Sequence, residues 1–175
     1  MRSGARFAGY LDADLAAPLC EIARLRAVLE AHEDIEMVFG ARVMLMGRHI
    51  ERRRARHYLG RVFATVASAT LGLPVYDTQC GAKLFRVTPT TRALFADPFV
   101  GGWIFDVEIL ARRVVAERTG ELPPTSRVLY ELPLDEWVDV AGSKVAPTDF
   151  VRAMLAMWRI RRRYLGPRGG SPGTG

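Results

Sequence analysis

The sequence predicts an α/β fold with a parallel sheet, because strand-like and helix-like segments alternate along the chain. Short apolar segments that predict buried strands occupy residues 5–11, 35–39 and 128–132. Apolar residues recur at helical spacing between the first two strands, from Pro18 to about His32. Such β-α-β units imply parallel strands. The other helices are predicted from about residue 51 to Leu71, over 89–96, from about 105 to Gly120 and over 148–165.

Length and composition indicate a single globular domain, and its positive charge allows for an anionic partner. The 175 residues can bury a real core, and 49% of them are hydrophobic. The net charge of +6 favours a nucleotide, a phospholipid surface or a nucleic acid as partner. Two cysteines predict neither a disulfide framework nor a zinc cluster. No apolar run reaches the length of about 18 residues that a membrane span needs, so we expect a cytoplasmic chain, at most peripheral on a membrane.

The last ten residues of the chain differ in composition from the rest. Residues 1–165 are expected to form the domain, and the Gly/Pro/Ser-rich residues 166–175 are expected to be disordered. The last helix combines an apolar face with an arginine-rich end near Trp158. Such a helix can lie in a membrane interface, and packing against the sheet with a solvated end fits the pattern equally well.

Two acidic residues directly after the first strand predict a divalent metal site. Asp12 and Asp14 follow the strand and precede a helix, where an open α/β sheet usually places its ligand crevice. Two carboxylates one residue apart on a bend suit Mg²⁺ or Mn²⁺, which completes its coordination with substrate phosphate and water. The alternative is a solvated acidic turn that caps the next helix.

Basic residues further along the chain are candidate phosphate ligands. Arg52, Arg53 and Arg56 begin a helix, where the helix dipole disfavours cations unless an anion is bound. Lys83 follows Gly81, which permits close backbone approach to a ligand, and its ammonium group could reach a phosphate. A solvated charged face is the alternative for the arginine run.

A second pair of acids lies in an apolar segment. Asp106 and Glu108 follow Trp103 and Phe105 at the predicted start of a helix. Carboxylates beside buried aromatic rings cost free energy unless they are paired, which favours a role at a site. Capping of the helix by Asp106 is the alternative.

Six motifs, in this order, resemble those of one enzyme family. They are Asp12-Ala13-Asp14, Gly40-Ala41-Arg42, the basic run 52–56, the segment 77–85 (Asp-Thr-Gln-Cys-Gly-Ala-Lys-Leu-Phe), the segment 103–108 (Trp-Ile-Phe-Asp-Val-Glu) and Gly142-Ser143-Lys144. Over about residues 4–160 the chain resembles the dolichyl-phosphate β-glucosyltransferase branch of the family-2 glycosyltransferases, relatives of dolichyl-phosphate mannose synthase. The segments 77–85 and 103–108 are specific at this spacing.

The resemblance implies a GT-A fold, which is a mixed, mostly parallel sheet flanked by helices. It also implies inverting transfer of a hexose from a nucleotide sugar of the UDP-glucose or GDP-mannose type to a polyprenyl or dolichyl phosphate, and the nearest branch suggests glucose. A lipid phosphate is already an anion, so it needs charge neutralisation and alignment more than a strong base. The metal would offset the charge that develops on the nucleoside diphosphate.

Carried over by position, the resemblance gives individual residues a role. Asp12 and Asp14 match the acids that hold Mg²⁺ or Mn²⁺ on the donor diphosphate, and Arg42 belongs to this donor-binding set. The candidate catalytic residues are Asp77 and Gln79 on the sugar and acceptor side, with Asp106 and Glu108 beneath the site. The candidate ligands of the acceptor phosphate are Arg52, Arg53, Arg56, Lys83 and Lys144.

Three departures from the family pattern suggest an alternative function. The family's N-terminal strands, with a Pro-x-Tyr-Asn-Glu-like nucleoside-binding motif, have no counterpart, Ala16 stands where some relatives carry a polar residue, and Ala41 replaces a serine. We therefore expect a GT-A domain that lacks its first strands and keeps the metal and acceptor half. The alternative is an inactive or partner-dependent fragment that acts as an interaction module through an exposed sheet edge. A nucleic-acid partner is not expected, because the basic runs contain no recognisable binding motif.

Overall fold

The computed structural model describes residues 4–51, 54–138 and 147–166, and of 54–57 and 147 only the backbone. The strands are β1 (Phe7–Leu11), β2 (Met37–Ala41), β3 (His49–Glu51), β4 (Ala82–Arg86), β5 (Leu129–Pro133) and β6 (Glu136–Val138). The helices are α1 (Cys20–Ala31), α2 (Arg54–Leu71), α3 (Pro89–Leu94), α4 (Phe105–Glu117), α5 (Thr125–Val128) and α6 (Pro147–Ile160). A 3₁₀ turn (Gly102–Ile104) precedes α4, and a π-helical turn (Arg161–Leu165) follows α6.

A mixed sheet flanked by helices confirms the predicted α/β class. Its strand order is β1-β4-β2-β5, with β4 antiparallel to both neighbours and β2 parallel to β5. β1 and β2 therefore run in the same direction, as a β-α-β unit requires, but β4 lies between them. Because of this insertion, two of the three pairings in the sheet are antiparallel, so the described strands are less parallel than the resemblance implies.

The strand expected over residues 35–39 lies instead over Met37–Ala41, with Gly40 inside it. A Cβ atom at Gly40 would lie 2.9 Å from a methyl carbon of Leu134 and 3.1 Å from the sulfur of Cys80. The strand does not end at Gly40, where a glycine is expected to stop it. Glycine instead allows close packing within the strand at this position.

A second sheet pairs β3 with β6 in parallel. The sequence pattern indicates neither strand, because three residues are too few to display the alternation typical of a strand. Trp137 lies at the centre of β6 and is buried, with the guanidinium carbon of Arg42 at 4.8 Å from its ring centroid. The acidic-aromatic segment 135–137, which suggests a turn, thus becomes part of the structure around Arg42.

Both faces of the main sheet are covered. On one face Met37, Phe39 and Phe85 pack against apolar residues of α2, α4 and α6. On the other face Val38 packs with Leu25 and Leu29 of α1. The carboxyl ends of β1 and β2 meet the start of β4 at one edge of the sheet, because β4 is antiparallel to both. The residues that follow β1 and β2 and precede β4 are thereby brought together.

Within the described ranges, no helix combines the length and apolar composition that crossing a bilayer requires. α6 is amphipathic: Ala153, Met157 and Ile160 are buried in the core.

Candidate active site

A pocket of about 480 Å³ opens at this edge of the sheet. Its polar lining residues come mainly from the ends of the strands and the loop before β4, and they are Asp12, Asp14, Arg42, Arg61, Asp77, Thr78, Gln79 and Asp106. Its apolar wall comes from α2, α4, α6 and the 3₁₀ turn, and it consists of Leu59, Phe63, Ala64, Trp103, Phe105, Phe150 and Ala153. The pocket therefore joins a charged side to an apolar side.

Asp12 packs directly against Gly81. The amide of Asp12 donates a hydrogen bond to the carbonyl of Gly81 at 2.8 Å. A Cβ atom at Gly81 would overlap the carboxylate of Asp12. The close backbone approach expected at Gly81 is thus made to Asp12, which leaves the carboxylate at the pocket surface.

The segment from Asp12 to Ala16 is a tight turn rather than a helix cap. The amide of Leu15 donates to the carbonyl of Asp12 at 3.0 Å, and the amide of Ala16 donates to Asp14 Oδ1 at 3.1 Å. Leu15, the last residue of this turn, has a φ of +54°, which non-glycine residues seldom adopt. α1 begins only at Cys20, without a side-chain cap. Asp14 therefore does not cap α1, while the solvated acidic turn and the metal site both stay predictions for this segment.

The electrostatics of Asp12 and Asp14 suit a cation. Burial raises the pKa of Asp12, and the nearby Asp14 raises it further, while Lys83 and Arg42 lower it. Both other acids of the pocket floor are paired with a basic residue, Asp77 with Arg42 and Asp106 with Lys83. Among the described residues no ion pair includes Asp12 or Asp14. Within the described part of the chain, the charge of these two acids is therefore offset only at a distance, by Lys83 and Arg42 in the case of Asp12.

These two carboxylates fit Mg²⁺ or Mn²⁺ only as part of a shared coordination shell. In the parts of the chain that the structure describes, no three His, Cys, Asp or Glu side chains lie together as a metal-binding group. Hard divalent cations are commonly bound through one or two carboxylates, with substrate phosphates and water supplying the other oxygens. The donor set thus matches a metal that arrives with, or is completed by, a phosphorylated ligand.

Arg42 is held rigidly over the pocket floor. Its Nε and Nη2 each lie 2.7 Å from a carboxylate oxygen of Asp77, and its amide donates to Asp77 Oδ2 at 3.1 Å. Trp137 covers the guanidinium group. This bidentate arrangement orients both side chains, because the planar guanidinium fixes the carboxylate plane.

Glu131 positions Asp77, and sequence analysis did not identify it. Its carboxylate accepts hydrogen bonds from the amides of Tyr76 (2.8 Å) and Asp77 (2.8 Å). Burial raises the pKa of Glu131, although both amides lower it. The one signal in the sequence is an acid at the centre of an otherwise largely apolar strand, which also fits an ordinary solvent-facing position.

Asp106 lies beneath the pocket at the centre of a buried network. It accepts hydrogen bonds from the hydroxyl of Tyr10 and from Lys83 Nζ, which lies 2.9 Å from Asp106 Oδ1. α4 has Ile104 at its N-cap without a side-chain hydrogen bond, so Asp106 does not cap the helix. Burial, followed by the charge of Asp106, raises the pKa of Tyr10 far above its ordinary value. Tyr10 is therefore a neutral donor at any physiological pH.

Lys83 differs in position from the surface ligand that its sequence suggests. Its side chain is fully buried, and its ammonium group also donates to the carbonyl of Cys80. The ring centroids of Phe39 and Tyr10 lie 4.8 and 5.5 Å from Nζ. A phosphate could reach this ammonium group only if Asp106 gave up its partner. In this structure Lys83 supports Asp106 from below, and its assignment to the acceptor phosphate has no geometric support.

Glu108 also lies apart from the pocket lining. It is fully buried and accepts four hydrogen bonds, from the amides of Val100 and Gly101, from Arg112 and from the hydroxyl of Tyr164. These bonds tie α4 to the loop before it and to the π-helical turn. Glu108 thus belongs to a buried structural cluster. Its assignment as a catalytic residue has no support from this geometry.

The remaining candidates divide into two groups. Asp77 and Gln79 line the pocket together with Asp12, Asp14 and Arg42, as the sequence motifs suggest. Arg52, Arg53 and Lys144, as well as the side chain of Arg56, lie outside the described residues. Their roles stay predictions.

The known proteins to which this chain is similar share one name. No protein-family model matches the chain. A dolichyl-phosphate β-glucosyltransferase of Dictyostelium discoideum is 29% identical over 168 residues, which cover 93% of this chain and 48% of the relative. One of Saccharomyces cerevisiae is 29% identical over 169 residues, covering 89% and 47%. One of Drosophila melanogaster is 34% identical over 102 residues, covering 49% and 27%. The chain spans about half or less of the length of these curated relatives.

Proposed function

We propose that the chain, which is similar to dolichyl-phosphate β-glucosyltransferases, transfers a hexose from a nucleotide sugar to a polyprenyl phosphate. The observation that carries the proposal is the two-sided pocket. The acids Asp12 and Asp14 lie on its charged side, and an apolar wall that includes Phe63 and Trp103 forms the other. A metal-bound diphosphate matches the first side, and an isoprenoid chain attached to a phosphate matches the second.

The reaction needs alignment more than proton transfer. An oxygen of the acceptor phosphate attacks the anomeric carbon as the bond to the nucleoside diphosphate breaks, so that the diphosphate leaves with the electron pair and the configuration inverts. Asp12 and Asp14 would hold Mg²⁺ or Mn²⁺, which supplies charge neutralisation on the leaving diphosphate. Arg42 and Asp77, fixed by their bidentate contact, would present a rigid polar surface to the sugar.

Glucose is the sugar that we propose, because each of the three relatives is named a β-glucosyltransferase. We propose UDP-glucose as the donor, and GDP-mannose is the competing donor. Hexoses that differ in one hydroxyl group are discriminated only where the site makes a specific hydrogen bond to that group. Comparing both donors in one assay decides between them.

The acceptor is a membrane lipid, and we propose that α6 contacts the membrane surface. Phe150 and Ala153 of this helix line the pocket. On its outer face Val151, Leu155 and Trp158 are each more than half exposed, at positions that share one helical stripe. Arg152 and Arg159 lie on the same helix and are exposed, and the guanidinium of Arg162 lies 5.4 Å from the Trp158 ring. An apolar stripe bordered by cations fits an anionic lipid interface.

Titration calorimetry with UDP-glucose tests the donor side. We expect binding that depends on Mn²⁺ in the unaltered chain and that is lost in Asp14→Ala. Asp34→Ala, at the turn before β2, is the matched control and should bind as the unaltered chain does. Binding that is equal with and without Mn²⁺, or equal in Asp14→Ala, would contradict the proposed donor site.

The interaction-module alternative rests on the sheet edge. β1 is an edge strand of the described sheet, paired only with β4 there, and edge strands can pair with another chain. A chain that is monomeric in sedimentation equilibrium and forms a glucosylated lipid would reject this alternative. A stable homomeric or heteromeric complex without any transfer would favour it.

A further inference from the structure

Among the described residues, three basic side chains lie in or beneath the pocket, and two of them form an ion pair. Arg42 is bound to Asp77, and Lys83 is bound to Asp106. Arg61 is different: no carboxylate of the described residues lies within ion-pair distance of it. In the part of the chain that the structure describes, its guanidinium is thus the pocket cation that is not held in an ion pair.

Arg61 is held in place before any ligand binds. Its Nη1 donates to the carbonyl of Tyr76 at 2.9 Å, and its guanidinium carbon lies 3.9 Å from the centroid of the Tyr76 ring. The amide of Tyr76 is in turn bound by Glu131. A guanidinium fixed by one hydrogen bond and by stacking keeps its other N–H groups for a ligand, at little further entropic cost.

Two further hydrogen-bonding groups of the pocket have no partner among the described residues. Thr78 is fully buried, and its hydroxyl has no hydrogen-bond partner among the described residues. The side-chain nitrogen of Gln79 is likewise buried and without one. Both residues line the same pocket as Arg61. Buried polar groups are rarely left without a hydrogen bond, and an absent ligand is one explanation for each exception.

We propose that Arg61, together with Thr78 and Gln79, binds the phosphate of the polyprenyl acceptor. This inference rests on the proposed function and names a ligand residue outside the motifs that carry the resemblance. Arg61 and the apolar residues Leu59 and Phe63 belong to the same helix, α2, and all three line the pocket. The Phe63 ring is stacked with that of Trp103 at 6.3 Å between centroids. A phosphate at Arg61 would therefore place its first isoprene unit against an apolar wall.

The same placement argues against the donor diphosphate as the ligand of Arg61. The diphosphate needs the metal, and the metal needs Asp12 and Asp14. Neither Asp12 nor Asp14 has an ion pair among the described residues, and electrostatic coupling links Asp12 to Arg42 and Lys83. Arg61 lies instead against Tyr76, whose amide donates to Glu131. We therefore assign the diphosphate to the side of Asp12 and Asp14, and the acceptor phosphate to Arg61.

Titration calorimetry of the full chain with geranyl phosphate, a short isoprenyl monophosphate, tests the proposal. We expect Arg61→Gln to weaken binding by about tenfold or more, because a charge-assisted contact is lost. Binding of UDP with Mn²⁺ should be unchanged. Arg26→Gln, on the exposed face of α1, removes an equal charge and should change neither. Geraniol and inorganic phosphate should each bind at least about tenfold more weakly than geranyl phosphate.

Thr78→Val separates ligand binding from folding. Removal of a buried hydroxyl without a partner should leave the melting temperature unchanged or higher, yet weaken geranyl phosphate binding. Equal binding by Arg61→Gln and Arg26→Gln overturns the inference. Loss of UDP binding in Arg61→Gln, or equally tight binding of geraniol, does so as well.

The inference and the proposed function can fail separately. If glucose is transferred and the acceptor KM of Arg61→Gln is unchanged, the phosphate site is wrong and the activity stands. If geranyl phosphate binds in an Arg61-dependent manner and no sugar is transferred, the phosphate site stands and the activity is wrong.

Discussion

Lys83 and Asp106 form a buried ion pair under the pocket, with Nζ 2.9 Å from Oδ1 and the lysine side chain fully enclosed. The pair joins β4 to the first turn of α4. Tyr10 of β1 adds a hydrogen bond to the same carboxylate. Asp106 is therefore held by two strands of the sheet, which fixes the pocket floor relative to the turn that contains Asp12 and Asp14.

Lys83→Met should destabilise the fold by about 3–5 kcal/mol, because it leaves a buried carboxylate without its counter-charge. Arg26→Met is the matched control. Arg26 and Glu30 form a mostly exposed pair on α1, and its loss should cost about 0.5 kcal/mol or less. Urea unfolding measures both. Equal midpoints for the two variants would show that the Lys83–Asp106 pair contributes no more than a surface contact.

Gly81→Ala should displace Asp12. A methyl group at this position overlaps the Asp12 carboxylate, so the turn must move, at a cost of about 1–3 kcal/mol. Mn²⁺-dependent binding of UDP should weaken in parallel. Gly4→Ala is the control, because a Cβ atom there meets no atom within 4 Å. If Gly81→Ala binds the nucleotide as the unaltered chain does, the position of the Asp12 carboxylate does not matter for metal-dependent binding.

The two cysteines should differ in reactivity. Burial raises the pKa of the Cys80 thiol to about 11, whereas Cys20 is exposed. At pH 8 Cys80 is therefore almost entirely in the unreactive thiol form, and its reactivity should increase only as the pH rises toward this value. Titration of the folded chain with a disulfide reagent at pH 8 should modify Cys20 quickly and Cys80 only after denaturation. Equally fast modification of both would contradict the buried position of Cys80.

Replacing the exposed stripe of α6 should weaken membrane contact. Leu155→Gln combined with Trp158→Gln should lower binding to vesicles of phosphatidylcholine and phosphatidylserine by about tenfold or more, because apolar area leaves the interface. Binding should also weaken as salt concentration rises. Leu19→Gln, an equally exposed residue before α1, is the control. Vesicle binding that is the same in all three proteins would reject α6 as the membrane contact.

Local patterns were sufficient to predict most of the fold. α1, α2 and α4 have apolar residues at helical spacing, and β1 is a short apolar run before a turn. What these patterns lacked is the order of strands in the sheet. The antiparallel insertion of β4 depends on contacts between residues far apart in sequence, such as Tyr10 with Lys83. Neither segment carries a local signal for that pairing.

The pocket was predicted in part. Asp12, Asp14, Asp77 and Gln79 belong to short motifs, and all line it. The motifs did not distinguish residues that line the pocket from residues that support it. Lys83 and Glu108 belong to the same motifs as the lining residues, yet both are fully buried. Arg61 and Glu131 lie outside the motifs. An arginine on a helix and an acid on a strand have many possible environments, so only tertiary contacts identify their roles.

The most direct test of the account is transfer itself. The chain is incubated with UDP-glucose, Mn²⁺ and a polyprenyl phosphate, and the lipid product is identified by mass spectrometry and its anomeric configuration by NMR. The account predicts UDP and a β-linked glucosyl phosphate lipid, formed by the unaltered chain and absent with Asp14→Ala, which should remain folded. Absence of product from the unaltered chain with both UDP-glucose and GDP-mannose, or equal turnover by Asp14→Ala, would contradict it.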